Sequence, residues 1–232
     1  MNRRNTIALL IALPLTGVIA GCSSGPKIMS TTAMPESGFL PNYRLLQPVT
    51  NTPEGTRIWR YRKAGINTNT CTAVILDPIY LNQSQFTNEI TPQVVAQTKR
   101  ALEMSMREAV EGHRGLRIAT QPGPGVARIS VGITGAEISA DGLKPWSFTP
   151  IGLAANAAAY ASGVNSKTPA LVIESKITDS QSKDFIGGGV ITLEGETFRT
   201  GSGSVASFEE MAKRAVKLAM EVSANPTPTA MK

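Results

Sequence analysis

His113 is the one histidine in 232 residues, and Cys22 and Cys71 are the two cysteines. A thiol nucleophile needs a base beside it, and a zinc site needs several His or Cys ligands at short spacing. Neither arrangement can be assembled from three such residues spread along the chain, and no Gly-x-Ser-x-Gly elbow or His/Asp/Glu metal spacing occurs. Asp77, Glu137, Glu174 and Asp179 are candidate acid–base carboxylates only by elimination, because each falls on or beside a predicted strand with an ordinary structural role open to it. The sharpest local composition is residues 57–63, where Arg57, Arg60, Arg62 and Lys63 stand beside Trp59 and Tyr61. Such a cluster either binds an anion, such as a lipid headgroup, a cell-wall polymer or an acidic protein, or is a surface strand with its aromatics inward and its cations wet. Gly187-Gly188-Gly189 lacks the Lys-Ser/Thr and helix start of a phosphate loop, and reads as a bulge or a close backbone approach. No catalytic residue, metal or cofactor is expected.

The amino-terminal residues carry a chemistry of their own. Arg3 and Arg4 precede an apolar run, residues 6–20, broken by Pro14 and Gly17. It falls short of the roughly 20 apolar residues that cross a bilayer, and has the order of a secretory signal. The run closes on Ile19-Ala20-Gly21-Cys22, which resembles a bacterial lipobox. That resemblance implies removal of residues 1–21 and acylation of Cys22, which becomes the new amino terminus. Each buried CH₂ contributes about 0.8 kcal/mol, so a multiply acylated cysteine anchors the chain without help from a protein surface. Ser23, where an inner-membrane retention signal would be Asp, favours the outer membrane. Residues 22–37 read as the lipidated cysteine and a Ser/Thr/Pro-rich tether. Cys71 is then the remaining thiol, which excludes an intramolecular disulfide and suits a buried, inert side chain.

The remaining pattern predicts elements that would position these groups. Residues 38–65 read as an extended lead-in with one strand near 56–62, and residues 71–81 as a strand buried on both faces. Thr91 and Pro92 start an amphipathic helix, with Val95, Thr98, Leu102, Met106, Ala109 and Val110 as its apolar stripe and Glu103–Arg107 as an i,i+4 pair; His113 caps its end. A short strand at 116–120 and the turn chemistry of 121–125 follow. Alternation through Ala127, Ile129, Val131 and Ile133 within 127–138, and through Leu171, Ile173 and Ile177, predicts long strands with one wet face, and residues 179–184 join the second of these to a strand at 185–194. Ser207 and Glu210 predict a capping box opening a last helix, with Met211, Ala215, Leu218, Ala219 and Val222 as its stripe. Residues 146–163 are small and apolar, either a helix crowded on the sheet or a flap over a pocket. The expectation is one α+β domain over residues 38–224, mostly antiparallel sheet with helices on one face, and a disordered tail at 225–232.

With these elements in place, GFLPNYRLLQP (residues 38–48), LDP (76–78), PGPGVARISVGITGAE (122–137) and ESKITDSQSKDFIGG (174–188) resemble the bacterial lipoproteins grouped as domain of unknown function 3313. The similarity extends over almost all of the mature chain. It implies an envelope location and an antiparallel sheet with helices on one side, and brings no catalytic residue. Lys183 stands in the tight turn where glycine is the expected residue. The function expected is a lipid-anchored, non-enzymatic interaction or assembly domain of the cell envelope, at the outer membrane and facing the periplasm. Its partners are the membrane, through acyl chains on Cys22, and envelope proteins or cell-wall polymer, with no nucleic acid. The alternatives are a lipid- or ligand-carrying module with an apolar pocket, and a cell-wall or lipid hydrolase. A closed core, a deep apolar cavity and convergent carboxylates would separate the three.

Overall fold

In chain order the strands are β1 (Gln47–Pro48), β2 (Thr56–Arg62), β3 (Ala73–Leu76), β4 (Tyr80–Leu81), β5 (Arg117–Ile118), β6 (Val126–Ala140), β7 (Lys167–Asp179) and β8 (Phe185–Glu194). The helices are a single turn α1 (Lys27–Ser30), α2 (Pro92–Glu111) and α3 (Gly201–Ala224). This computed structural model describes residues 27–66, 70–140 and 166–224. The lipobox with Cys22, the Ala-rich stretch and the tail at 225–232 lie outside the described residues.

The strands form one sheet in the order β1-β2-β8-β7-β6-β3-β5, with β4 also pairing β6. Pairing is antiparallel from β1 to β6, whereas β3 runs parallel to β5 and β6, and β4 parallel to β6. This is the α+β class expected, with a mostly antiparallel sheet. Residues 71–81 make two short strands instead of one, because Asp77-Pro78 breaks the run between β3 and β4.

Alternation sets which residues meet the helices. In β7, Leu171 and Ile173 face α2 and α3, while Val172 and Glu174 face the other way. In β6, Ile129, Val131 and Ile133 share the helical face; a bulge between Ile133 and Gly135 then shifts the phase, so that Ala136 and Ile138 take over that face. Thr134, on the opposite face from Ile133, donates its hydroxyl to Glu174 at 2.9 Å.

The two long helices close the main core, in which Leu102 and Phe208 are each 1% exposed. Burying side chains of this size contributes about 1.5–3 kcal/mol each. Thr91 caps α2 by accepting from the Val94 backbone N–H, with Pro92 in the first turn as expected. The buried stripe is Val94, Thr98, Ala101, Leu102, Met106 and Val110, rotated from the predicted one so that Val94 takes the place of Val95. The ion pairs on the exposed face are Lys99–Glu103 and Arg107–Glu111, not Glu103–Arg107. The last helix begins before the predicted capping box. Thr200 Oγ1 accepts from Gly203 N and starts α3 at Gly201, while the Ser207 hydroxyl donates to Glu196 O.

The second face of the sheet, expected to be wet, is covered instead: Val172, Glu174 and Val190 on it are buried. Leu40, Tyr43 and Leu46 pack on Val172 and Val190, and Ile28, Met34 and Phe39 join them. Residues 27–37, at the end of the stretch read as a tether, thus make contacts with the sheet. Their apolar side chains Ile28 and Met34 find there the apolar surface that a Ser/Thr/Pro-rich composition masked.

Candidate functional site

The cationic cluster lies on β2, and the strand's pleat divides it between both faces. Arg60 and Arg62 point to the helical side, where they donate to Val222 O and to Ser223 O (3.1 Å for Arg62), the open carbonyls at the end of α3. Cations suit that end of the helix, where unpaired carbonyls concentrate partial negative charge. Burial, and then repulsion from Arg62, lower the pKa of Arg60. Arg57 faces the other side and donates to Met29 O and Thr31 O, tying down the residues after α1. Trp59 packs with that amino-terminal segment, and Tyr61 stacks on Phe185 with ring centroids 5.3 Å apart. Lys63 pairs with Asp184 at 3.7 Å in solvent. Arg60, Arg62 and the backbone of β2 border one cavity, whereas Arg57 and Lys63 do not line it.

The four carboxylates singled out by elimination are spread through the fold. Asp77 accepts from Arg128 at 2.5 Å and from Ser130 at 2.6 Å. Glu137 accepts from the Ile28 backbone N–H at 3.0 Å, helping to seat α1. Asp179 accepts from the Gln181 and Ser182 N–H groups in the β7–β8 hairpin; these bonds, Ser182's first, hold its pKa below the ordinary carboxylate value. Lys183 adopts the left-handed backbone of that turn (φ 66°), where glycine would be unstrained.

Glu174 is fully buried on β7. Tyr43 donates to its Oε2 at 2.6 Å and Thr134 to its Oε1 at 2.9 Å. The same Tyr43 oxygen accepts from Gly38 N at 2.9 Å and Leu40 N at 3.3 Å. One phenol thus joins the buried carboxylate to the backbone of the segment that crosses the sheet. Burial, then the bond to Glu174, raise the Tyr43 pKa. Tyr43 stood inside a motif already noted, but its spacing gave no sign of a partner 131 residues away.

The helical face carries a hollow at the end where α2 and α3 finish. Two adjoining cavities, of about 240 and 200 Å³, share Ile129, Ser175, Ile177, Ile191, Ala219 and Ser223 as walls. The cause is local: opposite α3, β7 offers Ser175 and β8 offers Gly187 and Gly189, so side chains that would fill the space are missing. Glycine is required there by the backbone. A Cβ on Gly189 would lie 2.7 Å from Trp59 O, and one on Gly188 2.4 Å from Ser175 O. Cys71 borders the first cavity half-buried, and burial pushes its thiol pKa up. His113 follows the last turn of α2, its Nδ1 3.1 Å from Arg114 O. Among the described residues no group of three or more His, Cys, Asp or Glu could hold a metal, and no helix is long and apolar enough to cross a membrane.

These features define a class: an α+β domain whose mixed sheet is covered by two helices on one side and by its own amino-terminal segment on the other, with an apolar hollow at one end. The chain belongs to the family described as protein of unknown function (DUF3313), whose model matches residues 35–222. No curated protein matches the chain. Solved structures that resemble it include the PelC dodecamer from Paraburkholderia phytofirmans, at 10% identity over 69% of this chain and 94% of that one, with a TM-score of 0.38. A hypothetical protein, CT253, from Chlamydia trachomatis is 8% identical over 66% of this chain and 96% of that one (TM-score 0.40). A minor lipoprotein from Acinetobacter baumannii is 10% identical over 69% of this chain and 97% of that one (TM-score 0.31).

Proposed function

We propose that the protein is a lipoprotein of the bacterial outer membrane, held by acyl chains on Cys22 and facing the periplasm, whose folded domain works by binding and not by catalysis. In this reading it is an interaction or assembly domain of the envelope, with envelope proteins or cell-wall polymer as partners. One observation carries the non-enzymatic part. Asp77, Glu137, Glu174 and Asp179 are each engaged by donors that hold the fold together, and they do not converge on the hollow. General acid–base chemistry needs a carboxylate or imidazole within reach of a bound substrate. The anchoring part is supported by the Ile-Ala-Gly-Cys tetrad and the Ser at position 23.

Intact-mass analysis of the protein from native membranes tests the anchor. The expected mass lacks residues 1–21 and carries acyl chains on Cys22; an unmodified Cys22 thiol overturns the reading. Crosslinking in intact cells, followed by mass spectrometry, tests the interaction role, with envelope components expected among the adducts. The carrier reading has an observation in its favour as well, the paired apolar cavities beneath the end of α3.

A further inference from the structure

The hollow has a direction. At one end Arg60 and Arg62 border it, and at the other Leu102, Met106 and Ile173 close it, with aliphatic walls between. Its two parts adjoin, so together they fall within the range of roughly 300–1,000 Å³ usual for small-molecule sites, which are mostly apolar with a few polar groups fixing orientation. The polar end is cationic. A guanidinium has five N–H donors, and Arg62 spends one on Ser223 O. Among the described residues Arg62 forms no ion pair, and Arg60 on the same face of β2 adds a second positive charge.

The geometry points to a binding site for a long-chain fatty acid, its single acyl chain lying between the β6–β7–β8 surface and α3, and its carboxylate at Arg62 with Arg60 beside it. This deepens the carrier reading and rests on it. An unbranched chain suits a hollow whose walls are Ile129, Ile177, Ile191 and Ala219, because each methylene withdrawn from water adds a similar increment of stabilisation. A planar guanidinium matches a carboxylate through two parallel hydrogen bonds, which a neutral headgroup cannot reproduce.

The test uses the protein as isolated from native membranes, in nanodiscs of zwitterionic phospholipid, and a palmitic acid carrying a diazirine near its methyl end. Photolysis and peptide mapping should place adducts on peptides containing Leu102–Met106 and Ile173–Ile177. Ala219→Phe, which fills the shared wall, should reduce those adducts about tenfold or more. Arg62→Glu lies at the rim and should lower labelling by the acid about tenfold, while labelling by the matching diazirine monoacylglycerol stays within about twofold. Circular dichroism melts confirm that both variants fold; if Ala219→Phe does not, Arg62→Glu decides. Adducts spread over the surface, labelling indifferent to a folded Ala219→Phe, or equal loss of acid and glyceride in Arg62→Glu would each overturn the site. Displacement by lysophospholipid but not by palmitate would overturn the assignment of a fatty acid. The outcome is independent of the intact mass at Cys22, so failure here and failure of the anchor are distinguishable.

Discussion

Replacing Tyr43 with Phe removes one oxygen and leaves the ring in place. The loss has three parts. Without the hydrogen bond from Tyr43, 2.6 Å long, Oε2 of the fully buried Glu174 is left unmet, at a cost of about 1–3 kcal/mol. The Leu40 N–H, on a residue 5% exposed, loses its acceptor, and an unmet buried donor costs about 1–3 kcal/mol. Gly38 is exposed, so its N–H turns to water at little cost. Thr134 still donates to Glu174 and limits the damage. A net destabilisation of about 3 kcal/mol follows, a large share of the ~5–15 kcal/mol by which domains are stable. Urea unfolding should show a lower midpoint at unchanged slope, and hydrogen exchange should rise first across residues 37–46. Because the folded protein raises the Tyr43 pKa, its neutral form is favoured on folding. That stabilisation is complete below the ordinary phenol value of 10.0 and is lost as pH climbs through the raised folded value, so wild type should weaken above pH 10 more steeply than Tyr43→Phe. A stability change below about 0.5 kcal/mol, within the range of ordinary surface substitutions, with no change in exchange at 37–46 would refute the account.

Three further outcomes follow from the same contacts. Gly188→Ala would place a Cβ 2.4 Å from Ser175 O, and backbone must move to relieve it; the urea midpoint should fall by the equivalent of about 1–3 kcal/mol, whereas Gly201→Ala, with open space around its Cβ, should be neutral or stabilising. Arg57→Ala releases Met29 O and Thr31 O, so exchange should rise across residues 28–34 while global stability falls by no more than about 1 kcal/mol. Burial raises the Cys71 pKa, so iodoacetamide at pH 8 should alkylate it several-fold more slowly in the folded protein than in urea; equal rates would contradict its burial.

Strand β2 was legible to its last residue, and α2 to its cap, because alternation and Thr-Pro start signals are local properties of the chain. The start of α3 was not legible for a physical reason: glycine is a poor helix former in isolation, yet the Thr200 cap starts the helix there, and Phe198 packs so close to Gly203 that a Cβ would lie 2.8 Å from its Cβ. The bulge at Thr134 shows the same limit. Alternation simply ends in the sequence at Ile133, and only the partner strand reveals that it resumes out of phase.

By itself the sequence determined where the chain would turn, which strand faces are apolar, and that one cysteine stands in a lipobox-like tetrad, since each of these depends on neighbours a few residues apart. The tertiary structure decided the rest. It split Arg57 from Arg60 and Arg62 across the pleat, joined Tyr43 to Glu174 over the sheet, and set small residues from two strands opposite one helix so that a hollow remained. Those relations require strands far apart in sequence to pair in one register, and a register is a property of two segments that neither carries alone.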